Sequence, residues 1–127
     1  FAATYDAGVL VLCADGLHWA KLCFEYSPQG EPMIVSVVTN GVSDDCNSVP
    51  VARNDIYLRV TRLGEAFAFH YSEDGTYWRL VRYFALHQAT NLRVGFSSQS
   101  PTGNGCRAAF DAIQYRPSAV QNVRSGE

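Results

Sequence analysis

In the segment Trp19-Ala20-Lys21-Leu22-Cys23-Phe24-Glu25-Tyr26, apolar side chains alternate with side chains able to do chemistry. In an extended strand every second residue shares a face, so Trp19, Lys21, Cys23 and Glu25 point the same way. Such a row suits binding. An indole offers a flat apolar surface to a sugar ring, the ammonium donates hydrogen bonds and the carboxylate accepts them. Lys21 is the chain's only lysine; the other basic residues are nine arginines. Lys21 and Glu25 lie about 13 Å apart along a strand at ~3.3 Å per residue, too far to pair. Each needs a partner from a neighbouring strand, and Arg59 or Arg79 could serve Glu25. Arg59, His70 and Arg79 form a second, cationic row, in which the like charges lower the imidazole pKa. Gln99 ends a late strand with another donor–acceptor pair. The functional reading is a polar groove for a small hydroxylated or anionic ligand. The structural alternative is a lattice of salt bridges on a solvated sheet.

Other chemistries find less support. Glycoside hydrolysis usually needs two carboxyls about 5–9.5 Å apart. Glu25 is the one clear acid on this face, and the E-x-D-x-E strand motif of glucanases is missing. There is no G-x-S-x-G. Cys23 beside His70 would make a nucleophile pair, an arrangement the sequence leaves open. The run Ser43-Asp44-Asp45-Cys46-Asn47-Ser48 offers oxygens suited to calcium, but lacks the glycine and final glutamate of an EF-hand. Capping of a tight loop by short polar side chains accounts for it better. Cys13, Cys23, Cys46 and Cys106 show no CxxC or CxxH spacing, so no zinc site and no other cofactor is expected. They read as four free thiols of a cytoplasmic protein. His18 and His87 sit beside turns and receive no role.

These residues must be positioned by strands. The chain has 127 residues and 14.0 kDa, the size of one domain. Hydrophobic residues at 47% and aromatic residues at 13% give it a core to bury, so it is not disordered. A net charge of -2 argues against nucleic acid as a partner. No apolar run approaches the ~18 residues of a membrane span. Period-two alternation predicts strands at 8–14, 17–27, 32–40, 55–63, 66–72, 76–84, 92–99 and 106–115. The stretch 41–54 reads as a loop, 83–90 as room for one short helical turn, and 116–127 as a loose polar tail. Short strands with tight turns predict an all-β antiparallel two-sheet sandwich at 1–115.

Two-residue turns fix an expected register. At Gly64-Glu65 the turn sets Leu58, Val60 and Arg62 opposite Tyr71, Phe69 and Phe67, and Arg59 opposite His70. At Asp74-Gly75 it sets Tyr71 opposite Trp78, Phe69 opposite Leu80 and His70 opposite Arg79. At Gln29-Gly30 it sets Tyr26, Phe24 and Leu22 opposite Met33, Val35 and Val37. The expected core is Leu22, Phe24, Val35, Val37, Leu58, Val60, Phe69, Tyr71, Trp78, Leu80, Val94 and Phe96. Trp19, Lys21, Glu25, Arg59, His70 and Arg79 fall on the other side and would line one groove. Cys13 falls opposite Trp19, too far from Cys23 for a disulfide.

Several motifs resemble the regulation-of-enolase-type family of uncharacterised concanavalin A-like domains. Trp19 to Tyr26 is similar to its W-x-K-x-x-x-E-Y strand, and Val37 to Asp45 to its V-V-T-x-G-x-S-D segment. Leu58 to Gly64, Tyr71-Ser72-x-Asp74-Gly75-x-x-Trp78-Arg79, Gly95-Phe96 and Gln99-Ser100-Pro101 are similar to later signatures. The likeness covers roughly residues 5–115. Asp45 stands where many members carry tryptophan. Members also carry several tens of residues before the segment matching Tyr5-Asp6-Ala7-Gly8.

The resemblance implies a concanavalin A-like jelly roll and supplies no chemistry. With the residues above, it leads to a non-catalytic domain binding a carbohydrate-like or small polyhydroxylated compound through Trp19, Lys21, Glu25, Arg59, His70, Arg79 and Gln99. An intracellular regulatory or protein-interaction domain is the alternative. A glycan-active hydrolase completed by residues outside this chain is the third reading. A sandwich short of strands leaves an open edge, so the piece is expected to belong to a longer chain or to self-associate, most simply as a homodimer.

Overall fold

The computed structural model describes residues 1–87 and 90–127. Eight strands run in chain order: β1 (Ala7–Cys13), β2 (His18–Tyr26), β3 (Pro32–Asn40), β4 (Val42–Pro50), β5 (Tyr57–Leu63), β6 (Ala66–Ser72), β7 (Arg79–Ala85) and β8 (Arg93–Gln99). They form a five-stranded sheet in the order β4-β3-β2-β1-β8 and a three-stranded sheet in the order β5-β6-β7. Every pairing is antiparallel, and no helix occurs among the described residues. The architecture is an all-β sandwich.

The core between the sheets follows from side-chain parity. Leu12, Ala20, Leu22, Phe24, Ile34 and Val38 of the larger sheet meet Phe67, Phe69, Tyr71 and Phe84 of the smaller one. Phe69 and Phe84 pack with centroids 4.7 Å apart. Leu58 and Val60 pack partly buried against this cluster, as expected. The sheets are also tied at one edge. Arg82 Nη2 donates to Asp44 Oδ2 at 2.7 Å, Asn40 Nδ2 donates to the Ala85 carbonyl at 3.1 Å, and the His87 amide donates to Asn40 Oδ1 at 2.8 Å.

Several expectations are corrected. The run 42–50 is strand β4, not a loop; its alternation sends Asp44 and Asp45 to opposite faces, so the two cannot converge on one cation. Segment 106–115 forms no strand. It crosses beside β1 and β8, with Phe110 against Phe96 at 5.0 Å. Residues 83–85 complete β7, and the helical turn read into 83–90 reaches residues 88–89, which lie outside the described residues. The tail is not loose: residues 122–127 close a hook in which the Asn122 amide donates to the Glu127 carbonyl and the Gly126 amide to the Asn122 carbonyl, both at 2.8 Å.

Register holds at one turn and slips at two. The β5–β6 hairpin pairs Leu58 with Tyr71, Arg59 with His70 and Val60 with Phe69, as a two-residue Gly64-Glu65 turn demands. The β2–β3 turn holds three residues, Pro28-Gln29-Gly30, with Gly30 left-handed at φ 82° and Ser27 bonded to Glu31. Phe24 therefore faces Ile34, and Cys23 faces Val35. Val35 and Val37 are buried, but on the outward side of the sheet. The β6–β7 connection spans 73–78, and a bulge follows, so Arg79 faces Tyr71 and Leu80 faces His70. Trp78 and Leu80 are only half-buried, Leu80 beside outward-facing His70, and Val94 and Phe96 are 58% and 47% exposed, so these four leave the expected core.

Candidate functional site

The outward face of the five-stranded sheet is built in rows. One row runs Gly95, Val11, Lys21, Val37, Asp45; the next runs Ser97, Val9, Cys23, Val35, Asn47; the third contains Gln99, Ala7, Glu25 and Met33. Val9, Cys23, Met33 and Val35 form a buried apolar floor of their own. Lys21 and Glu25 are joined through Gln99, which belongs to a strand two places away. Lys21 Nζ donates to Gln99 Oε1 at 2.8 Å, and Gln99 Nε2 donates to Glu25 Oε2 at 3.1 Å and to the Tyr5 carbonyl at 3.1 Å. The amide of Gln99 thus joins the head groups of two side chains whose positions along the strand are ~13 Å apart.

Glu25 is 8% exposed, and desolvation pushes its pKa above the usual carboxylate value. Lys21 and the Gln99 amide oppose that shift; Asp45 adds to it. Among the described residues only Oε2 accepts a hydrogen bond, so Oε1 is free to accept one from a ligand. Burial pushes the Cys23 thiol up to about 12, which makes it a packing residue and a poor nucleophile. Trp19 is half-buried one row from Lys21, between Cys13 and Thr39.

Arg59, His70 and Arg79 do not share this face. Arg59 and His70 lie on the outward side of the three-stranded sheet, because the core-facing parity belongs to Val60, Phe69 and Tyr71. The single groove joining them to Trp19, Lys21 and Glu25 is therefore not formed; the sandwich core separates the two sets. Cys23 and His70 are separated by the same core. Arg79 stands opposite Tyr71, pairs with Glu73 at 3.3 Å and lies over Tyr77 at 5.0 Å.

On that second face, His70 is fully buried and its Nε2–H donates to the Val123 carbonyl at 2.7 Å. Arg59 stacks on Trp78, with the guanidinium carbon 3.9 Å from the ring centroid, and its Nη2 donates to the Gly126 carbonyl at 2.6 Å. Desolvation and then the nearby Arg59 charge lower the His70 pKa, against the Val123 hydrogen bond that raises it. The neutral imidazole expected from sequence thus owes more to burial than to the arginines. Two features of these faces went unforeseen. Asp45 was hidden because a strand polar on both sides carries no hydrophobic period, although Asn40-Gly41 before it is a hairpin dipeptide. The docked hook had only Gly126 as a signal.

A two-sheet antiparallel sandwich with a polar bridge over an apolar floor on one outward face defines a class of β-sandwich domain. The chain belongs within that class to the family described as Protein of unknown function (DUF1349), whose model matches residues 1–118. A crystal structure of a functionally unknown protein from Saccharomyces cerevisiae is similar at 32% identity and TM-score 0.72. The match covers 80% of this chain and 55% of the yeast chain, so this chain spans about half the length of that relative. No curated protein matches.

Proposed function

We propose that the chain is a non-catalytic ligand-binding domain whose site is Lys21, Gln99 and Glu25 on the outward face of the five-stranded sheet. The ligand is a carbohydrate-like or small polyhydroxylated compound. The observation that carries this reading is the Gln99 bridge. It keeps a lone ammonium and a desolvated carboxylate poised side by side but unpaired, with donors and acceptors alternating as vicinal hydroxyls require. Trp19 supplies a flat surface at the end of the row. The likeness to regulation-of-enolase-type domains, and with it a concanavalin A-like jelly roll, supports the same reading, as do free thiols for a cytoplasmic setting. Asp45, the other acid on this face, is displaced from Glu25 by four residues along the strands, roughly 13 Å, and by two strands, roughly 10 Å.

A thermal-shift screen with monosaccharides, oligosaccharides and polyols tests this. A hit should raise the melting temperature of the wild type and have a clearly smaller effect at the same concentration in Lys21→Ala and Glu25→Gln. A hit unaffected by both substitutions would refute the site. A regulatory or protein-interaction role is the second reading, favoured by the exposed apolar cluster of Val94, Phe96 and Phe110 beyond the smaller sheet.

A further inference from the structure

The outward face of the three-stranded sheet carries a half-buried cation, Arg59, with no paired acid among the described residues. Arg59 is desolvated, and no carboxylate pairs with it among the described residues; the nearby charge is a second cation, Arg116. Burying an unpaired guanidinium is costly, so the arrangement calls for an anion. What the guanidinium meets instead is one neutral oxygen, the Gly126 carbonyl on Nη2. Its Nε, which shares the same edge of the planar fork as Nη2, is buried with no partner among the described residues. His70 Nδ1, the acceptor nitrogen of an imidazole whose Nε2–H is taken by the Val123 carbonyl, is also buried without a partner; with the hook released, that Nε2–H becomes a donor for a carboxylate. A carbonyl oxygen fills half of a fork whose geometry matches both oxygens of a carboxylate.

The occupant of this recess is the hook formed by residues 122–127. Gly126 is buried, with φ 72°; a Cβ there would collide with Arg59 Nη2 and fall 2.9 Å from Trp78 Cβ and 3.1 Å from His70 Cδ2. Glycine is therefore required at that position. Asn122 Oδ1 shapes the hook by accepting from the Arg124 and Ser125 amides. A shallow recess continues from Trp78 and Leu80 along Asn122 and Arg124, which leaves room beside the hook.

We propose that Arg59, His70 and Trp78 form a carboxylate-binding site that the chain closes with its own Val123–Gly126 hook, a ligand in cis that uses one half of the guanidinium fork. A carboxylate would engage Nε and Nη2 together, neutralise the half-buried charge and release the hook; the Trp78 face would line one side. A peptide with a free C-terminal carboxylate and a small carboxylic acid share this chemistry.

The experiment is a heteronuclear NMR titration of the full chain with acetate, and with a tripeptide in free-acid and C-terminally amidated forms. Gly126→Val and a deletion of 123–127 serve as two independent hook-opened variants. Both should keep the wild-type far-ultraviolet spectrum and bind the acid forms at least tenfold more tightly than the wild type. Shifts should centre on Arg59, His70 and Trp78. Arg59→Lys in the hook-opened background should abolish them, because an ammonium lacks the fork. Acetate and free-acid tripeptide binding equally assigns a small acid; tripeptide binding alone assigns a peptide terminus. Equal binding of acid and amide, no binding by either hook-opened variant, or loss of the folded signal in both variants would overturn the proposal.

Discussion

At the scale of single residues, the chain separates groups that work from groups that pack. Glu25 has its pKa raised by burial, so the stability linked to its protonated form is present below the ordinary value of 4.5 and is lost as pH rises through the folded value. Glu25→Gln removes that cost while keeping an acceptor for Gln99. Its melting temperature at pH 7 should equal or exceed the wild type's, and a marked decrease would show that the charge itself holds the fold. Lys21→Ala should weaken ligand binding by about tenfold, in line with ~1.5 kcal/mol for a hydrogen bond to a charged group. His70 behaves oppositely to Glu25. Its pKa is lowered from 6.5, so its contribution is complete above pH 6.5 and is lost as pH falls toward the folded value. The melting temperature should fall between pH 7 and pH 5 more steeply in the wild type than in His70→Gln; parallel curves would contradict this. Cysteine labelling gives a further check. Cys46 is exposed and should react first with iodoacetamide, whereas Cys23, buried with its thiol pushed up to about 12, should stay unlabelled until the protein unfolds.

At the scale of elements, the hairpins decide which face each strand presents. Phe69→Ala, in the fully buried row of β6, should cost about 3–5 kcal/mol in denaturant unfolding. Trp78→Ala, half-buried under Arg59, should cost clearly less; equal costs would place Trp78 back in the core. Asn40→Ala should lose about 1 kcal/mol, because its side chain joins β3 to Ala85 and His87 across the sheets. The β5–β6 pairing was legible because Gly64-Glu65 leaves room for one register and the apolar residues then match. The β2–β3 pairing slipped because Pro28-Gln29-Gly30 also satisfies a three-residue turn with a left-handed glycine, and one residue flips a strand's faces. The β6–β7 turn was lengthened by side chains. Ser72 Oγ accepts from the Asp74 and Gly75 amides, and Asp74 Oδ1 accepts from the Thr76 and Tyr77 amides. Of the candidate site, the β2 row Trp19, Lys21, Glu25 was legible from alternation alone. That the Arg59–His70 row lies on the opposite outer face was not, since parity assigns a face within a sheet but not which sheet a strand joins.

At the scale of the whole molecule, the two sheets do not match in width. β5 lies against β1 and β7 against β3, so β8 extends past the smaller sheet. Its inward residues Val94 and Phe96 are exposed, and Phe96 packs on Phe110 of the crossing segment. Such a face favours association with a second copy. Sedimentation at tens of micromolar should show species larger than a monomer for this chain and a monomer for Phe96→Asp; the same distribution for both would remove β8 from the contact. The proposed ligand site, Lys21, Gln99 and Glu25, lies on the opposite, outward side of the same sheet, so association through β8 would leave it accessible. The most direct test of that site is a heteronuclear NMR titration with the best sugar or polyol from the thermal-shift screen, in wild type and Lys21→Ala. Binding at Lys21, Gln99 and Glu25 predicts saturable shifts in the backbone amides of 19–25 and 97–99 and in the Trp19 indole, which need about tenfold more ligand in Lys21→Ala. Shifts centred elsewhere, or unchanged by Lys21→Ala, would contradict it.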